Sequence, residues 1–447
     1  MELEYTPLYQ EVLGVIDQCP RQSQFYYKAT FLLDPNDPIG SIYEPLSVDS
    51  VTVQRDYVAN FCDEVTMTCK IPLGKYAYKI YPNRTWLRVS LSRVRLRVDS
   101  TIDDDFNEDT EIYNAVLIED RKATTQLQGA ETKSEEALDM VEIASIKFQL
   151  FDLSLMKIRT IQIGGVYRDM TTRQILRSCI CKYTADLGID SVDVKPSTNE
   201  SKRNQVVLPP TTALVDLPGT LQSKYGVYSS GLGTYIQNKK WSVFPLYDTS
   251  RFKVEKTTLT IYVIPPNKFP ELDRTYRQQQ DSCVILATSK NDFRGDNDIN
   301  YIISGNGSRY ADEKKVMEDY FSVEDNKVTL KRNTNTSEYI ASKRGDGLVQ
   351  AQVLGQIFTS NPHKEFSELA RKRGGILKVH WDNSYPPMLI PGMATRIVYF
   401  DKDELQEAYG TLIGGSHISF KVGDINTNKH VSTSMLYIFT NLLVQTQ

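Results

Sequence analysis

Histidine is scarce in this chain of 447 residues, with only His363, His380, His417 and His430, all in the last quarter. None is spaced H-x-x-x-H or H-E-x-x-H, which excludes the two-histidine zinc helix. The six cysteines are Cys19, Cys62, Cys69, Cys179, Cys181 and Cys283. No two make a C-x-x-C pair, so zinc-ribbon spacing is absent, and their density is low for a disulfide scaffold. They are expected to be buried free thiols of a reducing cytosol. There is no Gly-Lys-Ser/Thr of a phosphate loop and no Gly-x-Ser-x-Gly nucleophile elbow. No run of about 18 apolar residues occurs, so no membrane-spanning helix is expected. The first residues, Met1 to Pro7, lack a basic and then apolar leader pattern, so a soluble product made in the cytosol is expected.

A large positive field is also missing. Lys and Arg number 52 against 56 Asp and Glu, a net charge of −4. That balance argues against a nucleic-acid binder held mainly by charge. The acidic run Asp103, Asp104, Asp105, Glu108, Asp109 and Glu111 superficially suggests a calcium loop. Such a loop needs Gly at its sixth position and Glu at its twelfth, and here Glu108 and Asn114 stand there. Asp296, Asp298 and Asn300 also lack the Gly, so both are read as solvated loops. Gly231-Leu232-Gly233 lacks the third Gly and following helix of a dinucleotide cradle; Thr234, Tyr235 and Ile236 read as strand, and the glycines as a turn. Arg371-Lys372-Arg373 closes a helix, where cations suit the macrodipole. A Cys–His dyad or paired carboxylates would meet in space rather than in sequence, so neither is assigned. No cofactor, metal or catalytic residue is expected.

What the chain does have is tyrosine, 26 residues, set among threonines in short runs that favour strands. Its length implies two to four domains. Leu217 to Ile264 organises the reading. Pro218 opens a helical turn and Gly226 ends it. Val227–Tyr228, Tyr235–Ile236 and Trp241–Leu246 are then expected as a three-stranded meander. The next strand alternates Leu259, Ile261 and Val263 with Thr258, Thr260 and Tyr262.

Upstream, strands are expected at Gln22–Leu33, Val48–Tyr57, Glu64–Ile71, Trp86–Val98, Ile112–Glu119, Glu142–Phe151 and Lys157–Tyr167. A Tyr-rich connection, Leu73–Arg84, holds a short helix. In Trp86–Val98 the apolar positions change phase, from Leu87, Val89 and Leu91 to Val94, Leu96 and Val98. Strand side chains alternate with period two, so a bulge or bend is expected at Ser92–Arg93. Arg121–Asp139 is a polar arm longer than a hairpin needs. Thr171 and Gln174 have capping-box spacing for a helix ending at Gly188. Downstream, helices are expected at Ala311–Phe321, from Asn361 to Gly374, and from Asp401 to Tyr409. Strands are expected at Ser282–Thr288, Lys327–Lys331, Ile376–Trp381, Ser416–Val422 and Ser432–Phe439, and a turn followed by a strand over Leu389–Phe400. The fold class is mainly β with a few helices (α+β), and strands, one helix and more strands recur in both halves.

The order of these features carries a resemblance. The capped helix is followed by Val206-Val207-Leu208-Pro209-Pro210 and Leu221 to Tyr228. Then come the Gly turn, Tyr235, Trp241, the segment Pro245 to Phe252, and Thr258 to Glu271. Leu389 to Glu404 precedes a Gly and paired strands. This pattern, over roughly residues 20 to 440, resembles the baseplate central hub protein of contractile-tailed bacteriophages, whose fold is shared with type VI secretion spike proteins. Gly74 to Arg97 fits the first tube-like barrel of such hubs.

The resemblance implies two tail-tube-like β-barrels per chain and smaller intervening domains. It divides the chain into a first barrel domain, 1–105, completed by later strands; an intervening α+β domain, 106–254, with the arm 121–139; and a second barrel domain, 255–447, with a helical insertion. It implies a homotrimeric ring that adapts a six-fold tail tube to a three-fold central spike. The partners implied are the spike, the tail tube or its initiator, and baseplate wedge proteins. DNA only passes through the lumen, nothing inserts in a membrane, and the place is the virion, assembled in the host cytoplasm. No enzyme activity is implied. The arm departs from the family pattern, so no contacts are carried onto it. Arg88, Arg93, Arg95 and Arg97 stand on one strand; they read as a solvated face or as a surface docked on acidic partner loops. With the hub reading, Arg93, Arg95 and Arg97 become ring-contact candidates. Two other readings stand beside it: another tail adaptor or baseplate component on the tube fold, and a β-rich cell-wall glycan hydrolase.

Overall fold

A computed structural model describes residues 24–34, 41–96, 109–118, 143–265, 275–279, 282–295, 308–311, 321–324, 327–330, 338–340, 350–353, 361–401, 404–423 and 429–440. The first group of strands is β1 (Gln24–Leu32), β2 (Ile42–Tyr43), β3 (Ser47–Asp56), β4 (Glu64–Pro72), β5 (Arg88–Leu96), β6 (Asp109–Leu117) and β7 (Ile143–Asp152). An intervening unit holds β8 (Gln162–Tyr167), β9 (Ser191–Val194), β10 (Val206–Ala213), β11 (Leu232–Gln237) and β12 (Lys240–Pro245). Next come β13 (Thr258–Ile264), β14 (Tyr276–Gln279) and β15 (Ser282–Gly295). The short strands β16 (Ser308–Ala311), β17 (Phe321–Glu324), β18 (Lys327–Leu330), β19 (Glu338–Ile340) and β20 (Gln350–Val353) pair only with one another. The chain ends in β21 (Gly375–Trp381), β22 (Ala394–Asp401), β23 (Glu404–Lys421) and β24 (His430–Thr440). The molecule is mainly β with a few helices, as the alternation expects.

Hydrogen bonding closes this sheet on itself twice. One circuit runs β3-β4-β7-β6-β5-β1-β24-β23 and back to β3. The other runs β13-β22-β23-β24-β21-β15 and back to β13. The two share the β23–β24 hairpin. Closure leaves fewer open strand edges, the usual liability of a large sheet. Each circuit encloses its own core. Phe31, Met67, Cys69, Ile71, Val89 and Phe148 fill the first. Leu259, Ile261, Ile285, Val379, Trp381 and Ile438 fill the second. The first circuit's bonding runs from β1 through β7 and draws in the C-terminal hairpin.

The intervening unit has a third core, built on the helix Thr172–Thr184, whose Ile175, Leu176, Cys179 and Ile180 are buried. Thr171 caps this helix in a full capping box with Gln174, as the spacing predicts. Asn361 caps the helix Pro362–Arg373 through His363 N. The helical connection also forms, over Leu73–Asn83.

Four expectations need correction. Val227–Tyr228 is a buried bend rather than a strand. The Gln222 side chain at the end of the helix Leu217–Lys224 accepts hydrogen bonds from both backbone N–H groups, which takes them from any ladder. The meander is therefore a β11–β12 hairpin, with β9 added in parallel. Leu153–Thr160 is a helix, because the Asp152 carboxylate accepts from Ser154 N and Leu155 N; the strand starts only at Gln162. Asp401 caps no helix. It faces Glu404 across the turn of the β22–β23 hairpin. The helix-forming composition of Glu404–Tyr409 yields to pairing with β22, where Arg396 and Glu407 form an ion pair. Lastly, burial in β5 does change phase, from Val89 and Leu91 to Ser92, Val94 and Leu96. The register with β1 nonetheless continues residue by residue from Arg88 to Leu96, without a bulge. The change lies in what covers each face: Val89 and Leu91 belong to the first core, and Val94 and Leu96 do not.

The expected Ala311–Phe321 helix lies outside the described residues over 312–320, and its end residues Ala311 and Phe321 belong to strands β16 and β17. The arm 121–139 and the Asp296–Asn300 loop also lie outside the described residues. So does the acidic run, up to the start of β6.

Candidate functional site

The place where the fold concentrates buried polar chemistry is the seam between the two circuits. The shared hairpin builds it. β23 pairs with β22 along Glu404–Thr411, then with β3 along Gly414–Phe420. The exchange falls at a register shift against β24, between Leu412 and Gly414. Gly414 has φ +154°, and a Cβ there would stand 2.4 Å from the Arg55 carbonyl oxygen. Glycine is thus required by close backbone approach. Isolated glycine inside a strand is the sequence signal for such a site, and Gly414-Gly415 carries it.

Arg55 anchors the seam. It is 7% exposed, and its Nε donates to both Asp63 carboxylate oxygens, at 3.3 and 3.2 Å. Its Nη1 donates to the Pro386 carbonyl at 3.0 Å, which ties β3 to the segment following β21. Tyr235 of the intervening unit donates its hydroxyl to Asp63 at 2.8 Å. Its phenol is raised far above the ordinary range, first by burial and then by the Asp63 charge, so it stays a donor. Tyr57 donates to Gln237, and Gln237 Nε2 donates to the Leu389 carbonyl at 2.7 Å. One network therefore joins both circuits and the intervening unit. Arg251 makes a second clamp: it pairs with Glu255 at 2.7 Å and donates to the Gly392 carbonyl at 2.9 Å and Thr411 Oγ1 at 3.1 Å. This fixes the Pro245–Phe252 segment against β23. Neither Arg55 nor Arg251 is singled out by motif, because each finds its partners far along the chain.

Two buried histidines line the hairpin. His417 Nδ1 lies 2.7 Å from Ser434 Oγ, which donates to Ser384 Oγ. His430 Nε2 lies 2.9 Å from the Val48 carbonyl, and its ring stacks against Phe25. Burial lowers both imidazoles, His417 well below its ordinary value and His430 to about 4. Lys421, Asp49 and Arg93 are the charges acting on His430. Below the ordinary histidine value of 6.5 an unfolded chain charges these rings while the fold keeps them neutral. The unfolded state then binds more protons, so stability falls as pH drops from 6.5 and keeps falling until the fold also protonates, for His430 near 4. The His430 share alone is on the order of 3 kcal/mol. Urea midpoints at neutral and mildly acid pH are expected to show this loss, and His430→Gln to reduce it. An unchanged midpoint would contradict the burial argument.

Of the three arginines proposed for a ring contact, Arg93 lies half-buried between the rings of Phe25 (3.9 Å) and Tyr385 (4.6 Å), across the seam. Arg95 is half-buried on the same strand, and Arg97 lies outside the described residues. Among the described residues no group of three or more His, Cys, Asp and Glu could hold a metal ion. None of their helices is long and apolar enough to cross a membrane. Cys62, Cys69, Cys179, Cys181 and Cys283 are free thiols; Cys69, Cys179 and Cys283 are buried, whereas Cys181 is exposed.

No family model and no curated protein matches the chain. Solved structures do. A prophage MuSo2 43 kDa tail protein from Shewanella oneidensis is 10% identical, with 93% of this chain and 98% of that chain covered, at a TM-score of 0.47. A tail protein from Neisseria meningitidis MC58 is 10% identical, with 93% and 96% covered, at 0.46. The E. coli c3393 protein, a component of the type VI secretion system, is 10% identical, with 87% and 73% covered, at 0.37. These three solved structures are phage tail and type VI secretion proteins.

Proposed function

We propose that this chain is the structural hub of a contractile phage-tail baseplate. The observation that carries this reading is the pair of closed strand circuits on one shared hairpin. Each circuit stands as one tube-like barrel, so three copies supply six barrels around an axis. That arrangement adapts a six-fold tube to a three-fold spike and continues the channel through which DNA passes. The domains follow: a first barrel completed by the C-terminal hairpin, the intervening unit with its own core, and a second barrel carrying β16–β20 as an insertion. The partners are two further copies, the central spike, the tail tube or its initiator and the wedge proteins, in a virion baseplate assembled in the host cytoplasm. The role is structural rather than enzymatic.

The seam supports this reading physically. A ring that couples a tube to a spike must transmit load between its two barrels. Here they are held by a continuous hairpin and buried ionic contacts rather than a flexible linker. Light scattering tests the proposal: the purified chain mixed with its spike protein is expected at three copies per particle. A persistent monomer that cleaves peptidoglycan would favour the hydrolase reading instead. Arg95→Glu is expected to weaken assembly at least tenfold while the monomer still unfolds in one cooperative urea transition. Unchanged assembly would return Arg95 to the role of a solvated strand face.

A further inference from the structure

The connection from β4 to β5 carries a feature that neither core uses. Leu73 to Arg88 contains Lys75, Lys79, Arg84 and Arg88 and no Asp or Glu, in a chain where acids outnumber bases. Ile80 and Leu87 anchor the stretch in the first core, at 1% and 2% exposure. The backbone reaches the first anchor through a π-helical turn over Tyr76–Ile80, closed by the Tyr81 N–H on the Tyr76 carbonyl. Such turns are rare and concentrate at functional sites. They leave Tyr78, Tyr81 and Trp86 at 69%, 42% and 54% exposure. The other two tryptophans, Trp241 and Trp381, are buried. The Arg84 guanidinium stacks over Tyr81 at 4.2 Å and donates to its carbonyl. The ion pairs among the described residues engage other cations, such as Lys28, Arg55, Lys70 and Lys240.

Topology adds an apolar rim. Pro72 at the end of β4 pairs with Ile143 at the start of β7, and Leu87 O accepts from Ala115 N. The exposed Val116, Ile118 and Ile143 therefore lie at the same end of the first circuit as Trp86. Aromatic residues with arginine beside aliphatic surface are the composition of a protein interface and of its energetic centre. A nucleic-acid strand fits less well: it needs open ring faces for stacking. Arg84 already covers one face of Tyr81, and the aliphatic rim offers a phosphate backbone nothing.

The geometry points to this end of the first circuit as a docking surface for an acidic polypeptide segment bearing apolar side chains. Its carboxylates meet Lys75, Lys79 and Arg84, and its apolar side chains cover Tyr78 and Trp86. The inference does not depend on the ring reading. Because Trp86 is the exposed tryptophan, its emission reports occupancy. The probe is a labelled peptide alternating glutamate with leucine, titrated into the full chain, with oligothymidylate and phosphatidylglycerol vesicles as competitors in kind. The peptide is expected to blue-shift the emission and saturate, and Lys79→Glu/Arg84→Glu to weaken binding at least tenfold by anisotropy. If that variant fails to fold, wild-type titrations at about 0.05 M and about 0.5 M salt decide, with clearly weaker binding expected at high salt. Tighter binding of the oligonucleotide or vesicles, equal peptide binding by a folded variant, or salt-independent binding would overturn the assignment.

Discussion

Arg55→Ala is expected to destabilise the chain by about 3–5 kcal/mol, because it leaves Asp63 charged and largely enclosed without its cation. The loss also frees the Pro386 carbonyl and removes one of the contacts between the first circuit and the segment after β21. Tyr235 still donates to Asp63, which offsets part of the cost. The discriminating arm is the double variant Arg55→Met/Asp63→Leu. Removing both charges avoids the uncompensated carboxylate, so it is expected to cost less than Arg55→Ala alone. Urea denaturation of the three proteins measures this. A double variant at least as damaged as Arg55→Ala would mean that the uncompensated Asp63 charge is not what the single substitution costs and that the seam is held by something else.

The second large effect is at Gly414. Valine there meets the Arg55 carbonyl at the Cβ position and must adopt a conformation with φ +154°. Backbone cannot yield as a side chain tip does, so β3 must separate locally from β23. A loss of at least about 2 kcal/mol is expected. Its location is more telling than its size. Amide exchange is expected to accelerate along β3 from Thr52 to Asp56, beside the site, and to stay slow in β21, across the second circuit. Uniform acceleration would mean that the two circuits unfold as one unit with no seam between them. Gly219, by contrast, has nothing near its Cβ position and is expected to tolerate alanine.

Alternation was enough to find most strands of both circuits, because a strand with one face on a core writes its period into Val, Ile and Leu. The capping residues Thr171 and Asn361 were equally legible, since a cap is a contact between residues two or three apart. What the sequence hides is closure. Gly414-Gly415 marks a close backbone approach locally, but it does not say which strand β23 turns to there, and nothing local says that β24 reaches β1 through His430 and Phe25. The seam residues escaped for the same reason: Arg55 and Pro386 are neighbours only after both circuits form. The Asp401–Tyr409 helix failed because a long strand outcompetes local helix propensity once β22 needs a partner. Val227–Tyr228 failed because one glutamine side chain captured the backbone. The arginines of β5 were visible as a charged strand, but the placement of Arg93 between two rings follows from tertiary packing alone.

Imaging of the assembled particle by electron microscopy tests the central claim most directly. The full chain mixed with its spike protein is expected to give a ring of three chains, with six barrel-sized lobes in projection around an open lumen. A particle with one or two chains, or a three-chain particle whose lobes do not surround a lumen, would contradict it.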